Sequence, residues 1–160
     1  MPSAASSSPV TRTAARMLRM RWLARAPIWL FRARLGFVAG SRLLMLEHTG
    51  RTSGVRRYVV LEVVARTPGT YVVASGFGTR AQWFRNVRAK PQVCVWAGGH
   101  GPAAATARLL TASEAQAAIG AYAAKHPRAW AALAPVFAAT LGAPVQELPL
   151  IALELAGRPR

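Results

Sequence analysis

Between Leu43 and Leu110 the chain falls into five short apolar or β-branched runs, each stopped by a turn signal before it reaches helix length. The runs are Leu43–Leu46, Arg57–Val64, Tyr71–Ala74, Val93–Trp96 and Ala103–Leu110. His48–Gly54 (HTGRTSG), Pro68-Gly69, the loop SGFGTR and Gly98-Gly99 stand between them. Glycine, proline and hydroxyl residues at these places favour tight turns, so the runs read as strands. Gln82–Ala89 reads as one short inserted helix that stops before Pro91. Beyond the fifth run, Thr111 and Glu114 have capping-box spacing and open a helix that runs from near Ala112 to about Ala124. Pro127 starts another helix through Leu141, with Gly142 as its C-terminal cap. Leu148–Leu155 reads as a sixth strand. This order predicts an α+β fold: a mostly antiparallel barrel of about six strands with flanking helices.

The first part of the chain has a different texture. Residues 1–10 are serine, alanine and proline without periodicity, which predicts a disordered tail. Residues 11–41 read as a basic amphipathic helical arm, and residues 42–160 as the barrel domain. Arg12–Arg42 holds eight arginines and no acid. Ile28, Phe31, Leu35 and Val38 share one helical face, with Arg32 and Arg34 beside it and Trp22 and Trp29 near. Apolar side chains can enter the acyl boundary while arginines reach back to headgroups. The arm is therefore expected on an anionic membrane surface, on the cytoplasmic side; the alternative is that its stripe packs on the barrel. It does not read as a span, because Ala26–Val38 is interrupted by arginines and falls short of about 20 apolar residues. The same arginines argue against a signal peptide.

Charge and residue usage narrow the function. The formal net charge is +16, with 21 Lys and Arg against five glutamates and no aspartate. Such a balance attracts polyanions or a phosphorylated small molecule. A nucleic acid is not expected, since no helix-turn-helix, zinc finger or RNA-recognition aromatic motif is present. The lack of aspartate excludes an aspartate-containing catalytic triad. Cys94 is the sole cysteine, so no intrachain disulfide exists; it reads as a small core residue, consistent with a reducing cytosol. With that one cysteine and the scattered His48, His100 and His126, no metal site is expected.

Two stretches could carry chemistry. His48–Arg57 (HTGRTSGVRR) packs Arg51, Arg56 and Arg57 with two glycines and with Thr52 and Ser53 between two strands. Glycines let backbone amides turn toward an anion, hydroxyls donate, and arginines neutralise charge, which is what a phosphate needs. A solvated basic hairpin is the plainer alternative. In Ala74–Asn86 (ASGFGTRAQWFRN) a strand ends in a glycine-rich loop that would let backbone approach a flat ligand. Trp83 and Phe84 would wall such a site or else fill the core. Glu47 reads as a partner for a nearby arginine. With anion binding, an aromatic pocket and few proton-transfer groups, the two stretches fit an enzyme whose cofactor carries the chemistry.

Together these stretches resemble the deazaflavin-dependent nitroreductase family. That family's pattern has H-T-G-R-[KT]-S-G-x-x-R between two strands, then an Ala-Ser-Gly loop, then W-[YF]-x-N-[LV]-x-A-x-P-x-V. Here the stretches read LLMLEHTGRTSGVRR, VVASGFG and QWFRNVRAKPQVCV, over about Leu43–Val95. The resemblance implies a split β-barrel oxidoreductase that passes a hydride from reduced coenzyme F420, an 8-hydroxy-5-deazaflavin, to a small electron-poor acceptor. A quinone, enone or nitro compound would serve, and FMN is the alternative cofactor. It implies that Arg51, Thr52, Ser53 and Arg57, with Arg56 at hand, hold the cofactor's phosphate and acidic tail. Val73, Ala74, Ser75 and Gly76 would line the ring, and Gln82, Trp83, Phe84 and Asn86 would close the pocket. The family often has lysine where Thr52 stands. Nitroreducing members carry late tyrosines, where this chain has His126, Arg128 and Trp130. His126 is the candidate proton donor, with solvent as the alternative. A non-enzymatic binder of the cofactor or of a lipid is the rival reading, a nucleic-acid-binding protein a more distant one. The oligomeric state stays open.

Overall fold

A computed structural model describes residues 42–157. The tail and basic arm lie outside the described residues. No described helix is long and apolar enough to cross a membrane.

Six strands close into a barrel: β1 (Leu43–Thr49), β2 (Arg56–Thr67), β3 (Thr70–Ala74), β4 (Gln92–Ala97), β5 (Ala103–Leu109) and β6 (Leu150–Leu155). Their order around the barrel is β1-β2-β3-β6-β5-β4, every neighbouring pair antiparallel. Alternate residues point inward, so Leu44, Leu46, Val73, Val93, Val95, Ala105, Ile151 and Leu153 form one apolar interior. β2 is longer than the sequence suggests. A bulge between Val63 and Ala65 bends it, which helps so few strands close.

Helix α1 (Gln82–Ala89) crosses one end of this barrel and buries Trp83, Phe84 and Val87 in the interior. Helices α2 (Ala112–Lys125) and α3 (Pro127–Leu141) cover the outer face of β2, β3 and β6. Both begin as expected. Thr111 Oγ1 accepts from the Glu114 amide at 3.3 Å while Glu114 Oε2 accepts from the Thr111 amide at 2.8 Å. Pro127 opens α3, and Gly142 ends it in the left-handed region at φ +65°.

Two further boundaries differ from the sequence reading. His48 and Thr49 extend β1 instead of joining the turn, paired with Arg57 and Arg56. β6 begins at Leu150, since Pro149 has no amide to give the ladder. Cys94 is half-buried, next to Glu47 in register, and burial pushes its thiol up.

Candidate functional site

The β1–β2 turn, the loop after β3 and the start of α1 follow strand ends that lie at one end of the barrel. β1 runs toward that end and β2 away from it, so the residues between Thr49 and Arg56 close a turn of six, Gly50–Val55. The Gly50 amide donates to the Val55 carbonyl at 2.8 Å, and the Gly54 amide to the Gly50 carbonyl at 2.9 Å. Gly54 sits at φ +68°, which a side chain would disfavour. Gly50 is required for space: a Cβ there would run into Ser53 Oγ and stand 3.4 Å from Arg57 Nε. The Ser53 hydroxyl and the Arg57 head therefore lie against the same glycine. Ser53 Oγ also accepts from the Val55 amide at 3.3 Å. The amides of Thr52 and Ser53 take no part in these bonds, and Arg51, Thr52, Ser53, Arg56 and Arg57 are all exposed. Arg56 stands 3.5 Å from Glu47, the expected acid.

This turn is fastened to α1. Asn86 is 3% exposed, and its Oδ1 accepts from the Arg51 amide and from Arg51 Nη1, both at 3.1 Å. Arg51 Nη1 also donates to Gln82 Oε1 at 2.9 Å. Behind Asn86 lies His48, 4% exposed, whose Nδ1 is 3.2 Å from Asn86 Nδ2. Burial, with Arg57 adding to it, lowers the His48 imidazole to about 4, so it is neutral near pH 7. The sequence reading missed His48 as a site residue. Its signal was a lone polar ring on an apolar strand, which needs a partner once buried.

The second glycine loop is built differently. Ser75 is fully buried; its hydroxyl donates to the Gly78 carbonyl at 2.7 Å and its amide to the Pro149 carbonyl at 3.0 Å. A Cβ on Gly76 would come within 2.9 Å of the Phe137 ring, and one on Gly78 within 2.9 Å of Leu141. Thr140 Oγ1 donates to the Gly76 carbonyl at 2.8 Å, and Arg80 Nη2 to the Thr140 carbonyl at 2.8 Å. The close approach these glycines permit is thus to α3. Val73 points into the barrel interior, as do Trp83 and Phe84, whose rings meet edge-on with centroids 5.9 Å apart. Ala74 is half-buried on the outer face, near Phe137.

His126 is not brought to this cluster. It joins α2 to α3 and lies 5.1 Å from the Tyr122 ring, at the opposite end of α3 from Thr140. At 1.5 Å per residue that separation is roughly 20 Å. The Tyr122 hydroxyl donates to Glu62, while Arg42 Nη2 donates to Glu62 Oε1 at 2.8 Å and to Tyr122 Oη at 3.2 Å. Burial first, then the bond to Glu62, pushes the Tyr122 phenol up. Arg42, the last of the eight arginines that begin at Arg12, is thus tied to β2 and α2. A glutamate inside the β-branched run of β2 was the available sign of this trio. Among the described residues, a narrow slot between Tyr122, Trp130 and Phe137 reaches Ala74, and an open cleft of about 550 Å³ lies near Arg66 and His100. A phosphate requires donors and charge more than enclosure, and the donors collect at the turn.

No curated protein compared with the chain matches it. Among solved structures, one described only as a domain-swapped dimer is 22% identical, with TM-score 0.54, covering 92% of this chain and 100% of that one. An F420-H2 dependent reductase is 25% identical, with TM-score 0.52, covering 71% of this chain and 94% of that one. A pyridoxamine 5'-phosphate oxidase-like protein from Listeria innocua shares the fold at 13% identity, with TM-score 0.52, over 80% of this chain and 94% of that one. These likenesses agree with the closed antiparallel barrel and its flanking helices. The model of the F420H(2)-dependent quinone reductases matches residues 32–132, a stretch that includes the fastened turn, the glycine loop and α1. The chain belongs to that oxidoreductase family.

Proposed function

We propose that this end of the barrel binds coenzyme F420 and that the protein uses it to reduce an electron-poor organic acceptor, a quinone ahead of an enone or nitro compound. The observation that carries this reading is the turn itself. Arg51 is fixed by Asn86 and Gln82, Arg57 lies against Gly50, and the Thr52 and Ser53 amides stay out of the turn's own bonds. A phosphodiester followed by acidic groups matches that donor set. Arg56 adds charge beside it. The backbone of Ala74 and Gly76, on the side away from Phe137, supplies the face on which the ring would lie. Ser75 shapes that loop from within, and Val73, Trp83 and Phe84 hold the floor beneath it. When bound, the reduced deazaflavin supplies the hydride. The chain's own work is to orient donor and acceptor and exclude water. The proton then comes from solvent, because His126 stands far from the loop.

Fluorescence titration with F420, FMN and FAD tests the assignment. Saturable F420 binding is expected, and tight FMN binding without any for F420 overturns it. Turnover of reduced F420 with a panel of quinones and enones separates an enzyme from a mere binder. On sequence alone, we also propose that the arm, residues 11–41, holds a cytoplasmic protein on anionic membrane. Full-length protein should co-sediment with anionic vesicles, and equal sedimentation of a chain lacking residues 1–40 would remove the idea.

A further inference from the structure

Asn86 Oδ1 takes two donors from Arg51, the backbone amide and Nη1. Its amide nitrogen therefore faces His48 as a donor. The His48 nitrogen that receives it, Nδ1, must carry a lone pair, which places the ring proton on Nε2. Both side chains are almost fully buried, so neither can turn to water for a replacement partner. An amide without this acceptor would leave its buried NH2 unpaired, and a flip to relieve that would set the NH2 against the two Arg51 donors. The order of bonds runs His48 to Asn86 to Arg51, joining the end of β1, the helix α1 and the turn.

We propose that His48 is the positioning residue of the phosphate site: as a neutral imidazole protonated at Nε2 it fixes the Asn86 amide, which in turn aims Arg51 and the turn backbone at the cofactor's phosphodiester. This rests on the functional reading above. His48 touches no cofactor atom itself. Its effect is confined to the phosphorylated part of the ligand, because the ring-lining loop is held by Ser75, Pro149 and α3 instead.

The experiment compares two probes, F420 and the deazaflavin riboside that lacks the phosphate and the acidic tail. His48→Phe keeps a flat ring but offers no acceptor, while His48→Asn restores an acceptor near the Nδ1 position. His48→Phe should lose about tenfold in F420 affinity, the upper weight of one buried hydrogen bond. Its affinity for the riboside should stay within about twofold, and His48→Asn should recover most of the loss. Equal loss for both probes, or none for either, overturns the proposal. Nitrogen-15 imidazole spectra of the wild-type protein provide a reading that needs no variant. A neutral His48 ring protonated at Nε2 is expected, and a proton on Nδ1 overturns the proposal. If wild-type protein binds neither probe, the functional reading fails, and the imidazole spectrum still decides whether His48 holds Asn86.

Discussion

Two glycine-rich turns at one end of the barrel look alike in sequence and are used in opposite ways. In Gly50–Val55 the space at Gly50 is filled from within, by Ser53 and Arg57 of the same hairpin, Gly54 answers only to its φ of +68°, and the cations remain exposed. In Ser75–Gly78 the glycines are filled from outside, by Phe137 and Leu141 of α3. The first turn leaves its donors open, whereas the second serves as a seat for a helix. A glycine such as Gly50 or Gly76 therefore reports that something comes close without reporting what.

The strongest way to break this contrast is to remove what carries the fastening of the first turn. Phe84 is 1% exposed and anchors α1 in the barrel interior, and α1 carries Gln82 and Asn86 to the turn. Phe84→Ala should destabilise the fold by about 3–5 kcal/mol, measured by urea unfolding. Next in size is the effect of pH on His48. Its folded value is about 4 against an ordinary 6.5, so the unfolded chain binds the proton first as pH falls. The stabilisation is present above 6.5 and is lost as pH drops toward 4, by about 3 kcal/mol at most. Urea midpoints at pH 7 and pH 5 should show the decrease, and His48→Asn should lessen it.

Arg57→Ala sharpens the contrast at the ligand side. It should weaken F420 binding by about 1.5–3 kcal/mol while moving the melting temperature little. An unchanged affinity with a lowered melting temperature would make Arg57 structural. Gly78→Ala does the reverse. It places a Cβ at φ +62° and against Leu141, so stability should fall by about 1–2 kcal/mol while F420 affinity stays close to wild type. Smallest is Thr140→Val, which removes the donor to the Gly76 carbonyl; a loss of about 1 kcal/mol is expected in thermal unfolding.

The fold was largely legible in the chain because its signals are local. Turn residues between Leu43 and Leu110, the Thr111–Glu114 box, Pro127 and Gly142 each act over a few residues. The site was legible as two stretches rich in the right side chains, and less so as an arrangement. Trp83 and Phe84 had the composition of a pocket wall but fill the core, since a helix crossing a barrel end must plug it. His126 had suitable chemistry, but α3 carries it away from the loop.

By itself, then, the sequence determined the strands, their turns, the helix caps and the collection of arginines beside glycines. It did so through backbone geometry and short-range hydrogen bonding, which need no knowledge of the rest of the chain. Only the tertiary structure decided that His48 meets Asn86 across 38 positions, that Arg42 joins Glu62 and Tyr122, and that α3 fills the second glycine loop. Those contacts depend on barrel closure and on how far each helix extends before it turns, and burial then forces every enclosed polar group to find its partner there.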